Sequence, residues 1–152
     1  MPSNRNKLST VFLEFFGYVQ ELVGQTGDGS TLKIEKVAEG EAAIGIHPIP
    51  YIVVQFIQAT PKARADRDLV WSCQIRIRIV TRTNSADGAT AELLAKLALV
   101  QNKIQTWRKP DGVDGFDSTI WSLSFPIDPS APATLQADAT YDYTVAVAYG
   151  AN

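Results

Sequence analysis

Few residues of this sequence offer side chains for metal or redox chemistry. The 152 residues include one cysteine, Cys73, and one histidine, His47. A single cysteine cannot form a disulfide within the chain, and its place in an apolar run is typical of a small buried side chain. A zinc site needs several histidine or cysteine ligands, which this chain lacks. We therefore expect no metal site, and we interpret His47, which Pro48 follows, as a loop residue.

The sequence also lacks an excess of charge of one sign and a long apolar run. Its 14 basic and 16 acidic residues give a net charge of −2 at pH 7 and are mixed along the chain, without a basic or acidic tail for nucleic acid or membrane. No apolar run approaches the roughly 18 residues of a membrane span. Segment 11–23 contains Glu14 and Glu21 and is not followed by a signal-peptide cleavage site. We expect a protein of cytoplasmic origin without a membrane partner.

Motifs that identify many enzymes are missing. The glycines of segment 24–29 match neither the dinucleotide-binding pattern nor the phosphate-binding loop. The aspartates of segment 111–117 are spaced by three residues, which does not fit a calcium loop. Turns explain both segments, so we expect no catalytic residue and no cofactor. The alternative is a small α+β enzyme or ligand-binding domain with a pocket at His47 or at segment 111–117.

The most regular pattern is an alternation of apolar and polar residues over residues 69–82, LVWSCQIRIRIVTR. This period of two, with many isoleucines and valines, predicts a strand with one buried face. At about 3.3 Å per residue such a strand reaches roughly 46 Å, against the usual ~17–20 Å. We therefore expect part of it to project from the domain or to contact another subunit.

The remaining patterns predict two helices and four further strands. The helices follow the apolar spacing of residues 8–23 and 93–107, and the other strands cover residues 31–37, 51–58, 119–125 and 135–149. Sequential strands usually pair, which predicts two hairpins, 51–58 with 69–82 and 117–125 with 135–149. The order α-(β)-β-β-α-β-β predicts one α+β domain over residues 1–152, with an antiparallel β-sheet and two α-helices packed on one face.

Three arginines, Arg76, Arg78 and Arg82, follow the polar side of the long strand. A row of guanidinium groups can bind phosphate. Alternatively, the arginines pair with acidic residues of a neighbouring strand or across a subunit boundary. The slightly acidic net charge favours pairing, and no aromatic residue lies between the arginines to support a platform for single-stranded nucleic acid.

In this order of elements the chain resembles the phage tail terminators, a family of small ring-forming proteins that cap the tail tube at the neck. The resemblance covers nearly the whole chain and rests on element order and pattern. The segments that carry it are VFLEFFGYVQELV, PIPYIVVQFIQ, WSCQIRIRIVTR, GATAELLAKLALVQNKIQTW and TYDYTVAVAY. Related tail-completion and neck proteins share these features, and another head–tail connector or a tail tube protein is the alternative.

The resemblance implies a non-enzymatic structural protein of the virion neck that assembles in the host cytoplasm. Such proteins form hexameric rings that end tube polymerisation and join the tail to the head-side connector. The implied partners are further copies of this chain, a tail tube protein and a connector or stopper protein, while genomic DNA passes through the lumen without specific binding. On this basis we predict interface residues on the long strand, its hairpin tip and the terminal strand: Arg76, Arg78, Arg82, Lys62, Arg64, Arg67, Tyr141 and Tyr143.

Overall fold

The protein alternates helices and strands in the order that the sequence predicts. The computed structural model describes residues 7–27, 30, 32–40, 50–65, 68–82, 89–107, 113–124 and 134–148. Within these ranges two helices and five strands occur: α1 (Lys7–Gln20), β1 (Lys36–Glu39), β2 (Tyr51–Ala65), β3 (Asp68–Arg82), α2 (Ala89–Gln105), β4 (Val113–Ser124) and β5 (Thr134–Ala148). The predicted α+β class and element order are confirmed.

The strands form one sheet in the order β1-β2-β3-β5-β4. The two predicted hairpins are present, because β2 pairs with β3 and β4 pairs with β5 in antiparallel ladders. β3 and β5 are also antiparallel and join the two hairpins over their whole length. β1 runs parallel to β2, so the sheet is mixed. The connection over residues 40–50 is longer than a tight hairpin turn, which permits the parallel arrangement.

Both helices pack on the same face of the sheet, as predicted. Every second residue of β3 from Cys73 to Ile79 is buried on that face, in agreement with the alternating sequence. The helices contribute apolar residues at helical spacing to the same core. The buried residues that form this core include Val11, Phe15, Val19, Ile52, Val54, Cys73, Ile75, Ile77, Ile79, Leu93, Val100, Ile104, Ala139, Tyr141, Tyr143 and Val145.

The segment after α1 explains why β1 begins later than predicted. The chain turns at Gly24, whose φ of 89° favours glycine. The Gly24 N–H donates to the carbonyl of Ile34, and the Ile34 N–H donates to the carbonyl of Gln25. These backbone bonds tie Ile34 to the turn after α1, and the Glu35 N–H donates to the carbonyl of Pro50, directly before β2. The ladder with β2 therefore starts at Lys36, and not at residue 31.

β2 and β4 are both longer than predicted. β2 continues to Ala65, through residues that the sequence pattern presents as a polar connection. β4 begins at Val113, so Asp114, interpreted as a turn residue, pairs with Thr144 in the sheet. Neither extension has a regular apolar alternation. Alternation reports burial of one face and not backbone pairing, so the sequence pattern does not predict these segments as strands. Backbone pairing with β3 and β5 maintains both segments as strands.

Candidate subunit interface

The sheet is much longer than the helices that cover it. β2, β3 and β5 each contain 15 residues, which corresponds to about 50 Å of strand at ~3.3 Å per residue. α1 and α2 contain 14 and 17 residues, and at 1.5 Å per residue they extend only about 21 and 26 Å. The helices are too short to run the full length of the β2–β3 hairpin. That part of the long strand projects from the domain stays a prediction.

Along most of β2, one edge of the sheet has no neighbouring strand in the described part of the chain, and we call it the open edge. β1 pairs only with the first four residues of β2 and ends at Glu39, opposite Val54. The Gly40 N–H donates to the carbonyl of Val54 at 2.9 Å, and the φ of 80° at Gly40 turns the chain. Beyond this bond β2 has β3 on one side and no strand on the other among the residues that the structure describes. An edge of this kind is a template for another strand.

The pairing pattern identifies the residues whose backbone groups point out of the open edge. Val54 accepts its bond from the β1 side, so alternation directs the backbone groups of Phe56 outward as well. A bulge at Ile57 then shifts by one residue the alternation between inward and outward backbone groups. Beyond it, Ala59 and Pro61 are the outward residues. Proline has no N–H to leave unpaired, and within sheets it is confined to edges and bulges, so Pro61 fits this position.

A small apolar groove lies where β1 ends and the open edge begins. Its volume is roughly 210 Å³, and its lining residues are Leu8, Ser9, Phe12, Glu39 and Phe56. The Phe12 and Phe56 rings meet edge to face with their centroids 5.6 Å apart. The Phe56 side chain is nevertheless 36% exposed. The groove can hold an apolar side chain of a strand laid against the open edge.

The structure describes the side chains of two of the three arginines on the polar side of β3. Arg78 forms a bidentate ion pair with Asp138 of β5, from Nε to Oδ1 at 2.7 Å and from Nη2 to Oδ2 at 2.9 Å. This is the cross-strand pairing that the sequence offers as an alternative to phosphate binding. Arg76, two residues earlier on the same face, has no ion-pair partner among the described residues. Arg82 ends β3, and its side chain lies outside the description.

Tyr141 and Tyr143 lie in the core and not on a surface. Each is at most 1% exposed, and burial raises the pKa of both phenols. The Tyr141 hydroxyl donates to Oε1 of Gln101 at 2.8 Å, and the Tyr143 ring lies 6.3 Å from that of Trp107. A side chain covered by the helices of its own subunit cannot contact a second subunit. This correction removes both tyrosines from the predicted interface, because the apolar face of β5 is the one that the helices cover.

The predicted basic hairpin tip is described only in its backbone. Lys62 and Arg64 lie in the last part of β2, and Arg64 pairs with Leu69 of β3. The side chains of these residues, and the whole of Arg67, lie outside the described part of the chain. His47 and Asp111, which the alternative of a ligand pocket involves, also lie outside the described residues. In the described ranges no group of three or more potential metal ligands occurs.

One polar cluster was not predicted from the sequence. Lys96 of α2 has a fully buried side chain, and its ammonium donates to the carbonyl of Thr26 at 2.6 Å and to Oγ of Ser30. The Ser30 hydroxyl donates to the Glu92 carboxylate, which lies 3.5 Å from the Lys96 ammonium. Burial lowers the pKa of Lys96, and the nearby Glu92 opposes this shift. The cluster fastens the segment after α1 to α2, and a lysine within the apolar stripe of α2 is the signal that could have revealed it.

A second groove, of roughly 530 Å³, is open to solvent beside the C-terminal end of α2. Glu14, Tyr18, Glu21 and Trp107 are among its lining residues. Lys103 of α2 forms an ion pair with Glu21 at 2.9 Å, and its ammonium lies 3.9 Å from the centroid of the Tyr18 ring. These contacts connect α1 and the turn after it with α2, and they explain the charges of Glu21 and Lys103 as packing between the helices. None of the described helices is long and apolar enough to cross a membrane.

Comparison with known proteins finds similar chains among solved structures. No protein-family model and no curated protein sequence matches the chain. Among solved structures, the chain is similar to a chain of the "Virion of native gene transfer agent (GTA) particle", with 17% sequence identity and a TM-score of 0.49. The similarity covers 84% of each chain. At this identity and score it carries no argument about function, and that chain is a component of a virion particle.

Proposed function

We propose that this protein is a structural subunit of a phage-like particle that assembles through its sheet into a closed ring. The ring caps the tail tube, ends tube polymerisation and joins the tail to the head-side connector. In this proposal the protein binds copies of itself, a tube protein and a connector protein, and carries out no reaction. DNA passes through the lumen without specific contacts. The resemblance of the element order to the tail terminators supports these finer statements.

The observation that carries the proposal is the length of the sheet relative to the helices. Each helix, of 14 or 17 residues, is about half as long as a strand of 15 residues. The open edge of β2 begins at the residue after Val54, where β1 stops. Exposed edges of this length favour pairing with another chain, and proteins that use them without aggregating do so in closed symmetric assemblies.

Addition of the purified protein to growing tail tubes tests this function. We expect the protein to bind at one end of each tube, as seen by electron microscopy, and to stop elongation at a protein-to-tube ratio of a few subunits per tube end. The same protein unfolded by heat before addition is the control. Binding along the side of the tubes, or tubes that continue to grow, would contradict the proposal. If the protein alone formed an open helical polymer, a tube subunit would be the correct assignment.

A further inference from the structure

We propose that neighbouring subunits pair the open edge of β2 in one copy with the β4 edge of the next copy. This inference rests on the proposed function, since it names the contact that closes the ring. The site consists of Gln55–Thr60 on β2 and the groove beside Phe56. The occupant is β4 of a second copy.

The strand order supplies two different edges to the same sheet. β1 and β2 form one edge, and β4 forms the other, with β5 as its only neighbour in the described part of the chain. A contact between unlike edges is heterologous, so each subunit uses both of its edges and the series can close into a ring. Pairing of β2 with β2 would instead give a dimer and leave β4 unused.

Strand direction makes this pairing antiparallel. β2 is antiparallel to β3, β3 to β5, and β5 to β4, so β2 and β4 run in opposite directions within one subunit. A neighbouring copy placed by rotation about an axis close to the strand direction keeps this relation. Its β4 therefore meets β2 in the antiparallel arrangement, which is slightly more stable per residue than the parallel one.

The backbone pattern limits the pairing to a short stretch. Phe56 and Ala59 direct N–H and C=O groups out of the edge, whereas Pro61 can only accept. On the N-terminal side of this stretch, β1 occupies the edge of β2 up to Val54. The incoming strand is thus placed between the end of β1 and Pro61. The restricted length prevents uncontrolled strand addition along the whole hairpin.

The groove beside the edge suits the apolar residues of β4. A strand laid along β2 places alternate side chains on the helix-covered face, where Phe12 and Phe56 line the groove. The sequence of β4, VDGFDSTIWSLS, contains large apolar residues that alternate positions of such a strand can supply. One such side chain would cover the exposed part of Phe56.

Hydrogen exchange of the assembled protein tests the inference without a mutation. We expect the amides of Phe56 and Ala59 to be slowed at least 100-fold in the assembly relative to the dilute monomer. The amides of β4 should slow with them. An assembly in which peptides covering residues 55–60 exchange at the monomer rate overturns the inference and leaves the proposed function intact. A chain that stays monomeric with and without tail tubes overturns both.

The substitution Ala59→Pro provides a second test. It removes the N–H group of an outward residue. The inward residues Gln58 and Thr60, which pair with Gln74 and Ser72 of β3, keep their N–H groups. Ala59→Ser, which retains the N–H, is the matched control. We expect Ala59→Pro to raise the concentration needed for assembly at least 10-fold, with the circular dichroism spectrum of the folded monomer. Since the variant retains its β4 edge, it should also inhibit wild-type assembly when mixed in; normal assembly by a folded Ala59→Pro protein would overturn the inference.

Discussion

Replacement of Arg78 by glutamate should destabilise the fold and not merely weaken assembly. The Arg78 guanidinium and the Asp138 carboxylate face each other across β3 and β5, with side chains 34% and 11% exposed. Because Asp138 is nearly buried, loss of its partner leaves a poorly solvated charge, and hydrogen bonds to charged groups contribute about 1.5–3 kcal/mol. The introduced glutamate adds a like charge directly opposite, which is also unfavourable. The partial exposure of Arg78 reduces the electrostatic part through solvent screening.

We therefore expect Arg78→Glu to lower the free energy of unfolding by about 2–4 kcal/mol. For a chain of this size that corresponds to a fall in Tm of roughly 5–15 °C. Thermal unfolding followed by circular dichroism, and urea denaturation of the monomer, measure the change. The matched control is Arg76→Glu, the same substitution on the same face of β3, which should change stability by less than about 1 kcal/mol.

A double-mutant cycle separates the ion pair from other effects. Arg78→Ala, Asp138→Ala and the double variant should show a favourable coupling energy on the order of 1–3 kcal/mol. If Arg78→Glu and Arg76→Glu were equally stable, the contribution of the ion pair to the fold would be refuted. Arg78 would then be available for the interface that the alternating pattern alone predicts.

Two further substitutions and one thiol modification test the burial of core residues. Ile77→Asp places a charge at a fully buried position of β3 and should abolish folding, as judged by circular dichroism; a folded variant would contradict the burial. Lys96→Met should detach the segment after α1 and lower stability by about 1–3 kcal/mol in urea denaturation, and unchanged stability would show that the Thr26 and Ser30 contacts contribute little. Burial raises the pKa of the Cys73 thiol to about 11, so at pH 8 a thiol reagent should modify it only as fast as the protein unfolds, and rapid modification of the native protein would refute its burial.

The parts of the fold that could be predicted are the helices and strands whose apolar residues recur on one face. The alternation of β3 and the aromatic stripe of α1 each report a face in contact with the core, and both elements are present with nearly the predicted bounds. Sequential pairing then suffices for the two hairpins. The second half of β2 carries no such signal, and its strand structure depends on backbone bonds to β3.

The candidate interface was predicted less well, for a related reason. Alternation shows which residues share a face but not what covers that face. The sequence pattern predicts a subunit contact for the tyrosines of β5, although α2 and Trp107 cover them within the same chain. Likewise, the polar face of β3 does not reveal that Asp138 lies opposite Arg78, since this depends on the register between β3 and β5. The open edge of β2 follows only from the point at which β1 ends.

The mass of the purified protein in solution tests the central claim most directly. Light scattering at several concentrations, with and without tail tubes, distinguishes the 16.6 kDa monomer from a closed assembly. The account predicts one discrete species, of about 100 kDa for six subunits, whose mass does not grow with concentration, or a monomer that assembles only on tubes. A strict monomer that does not respond to tubes would contradict the account and would favour a ligand-binding domain.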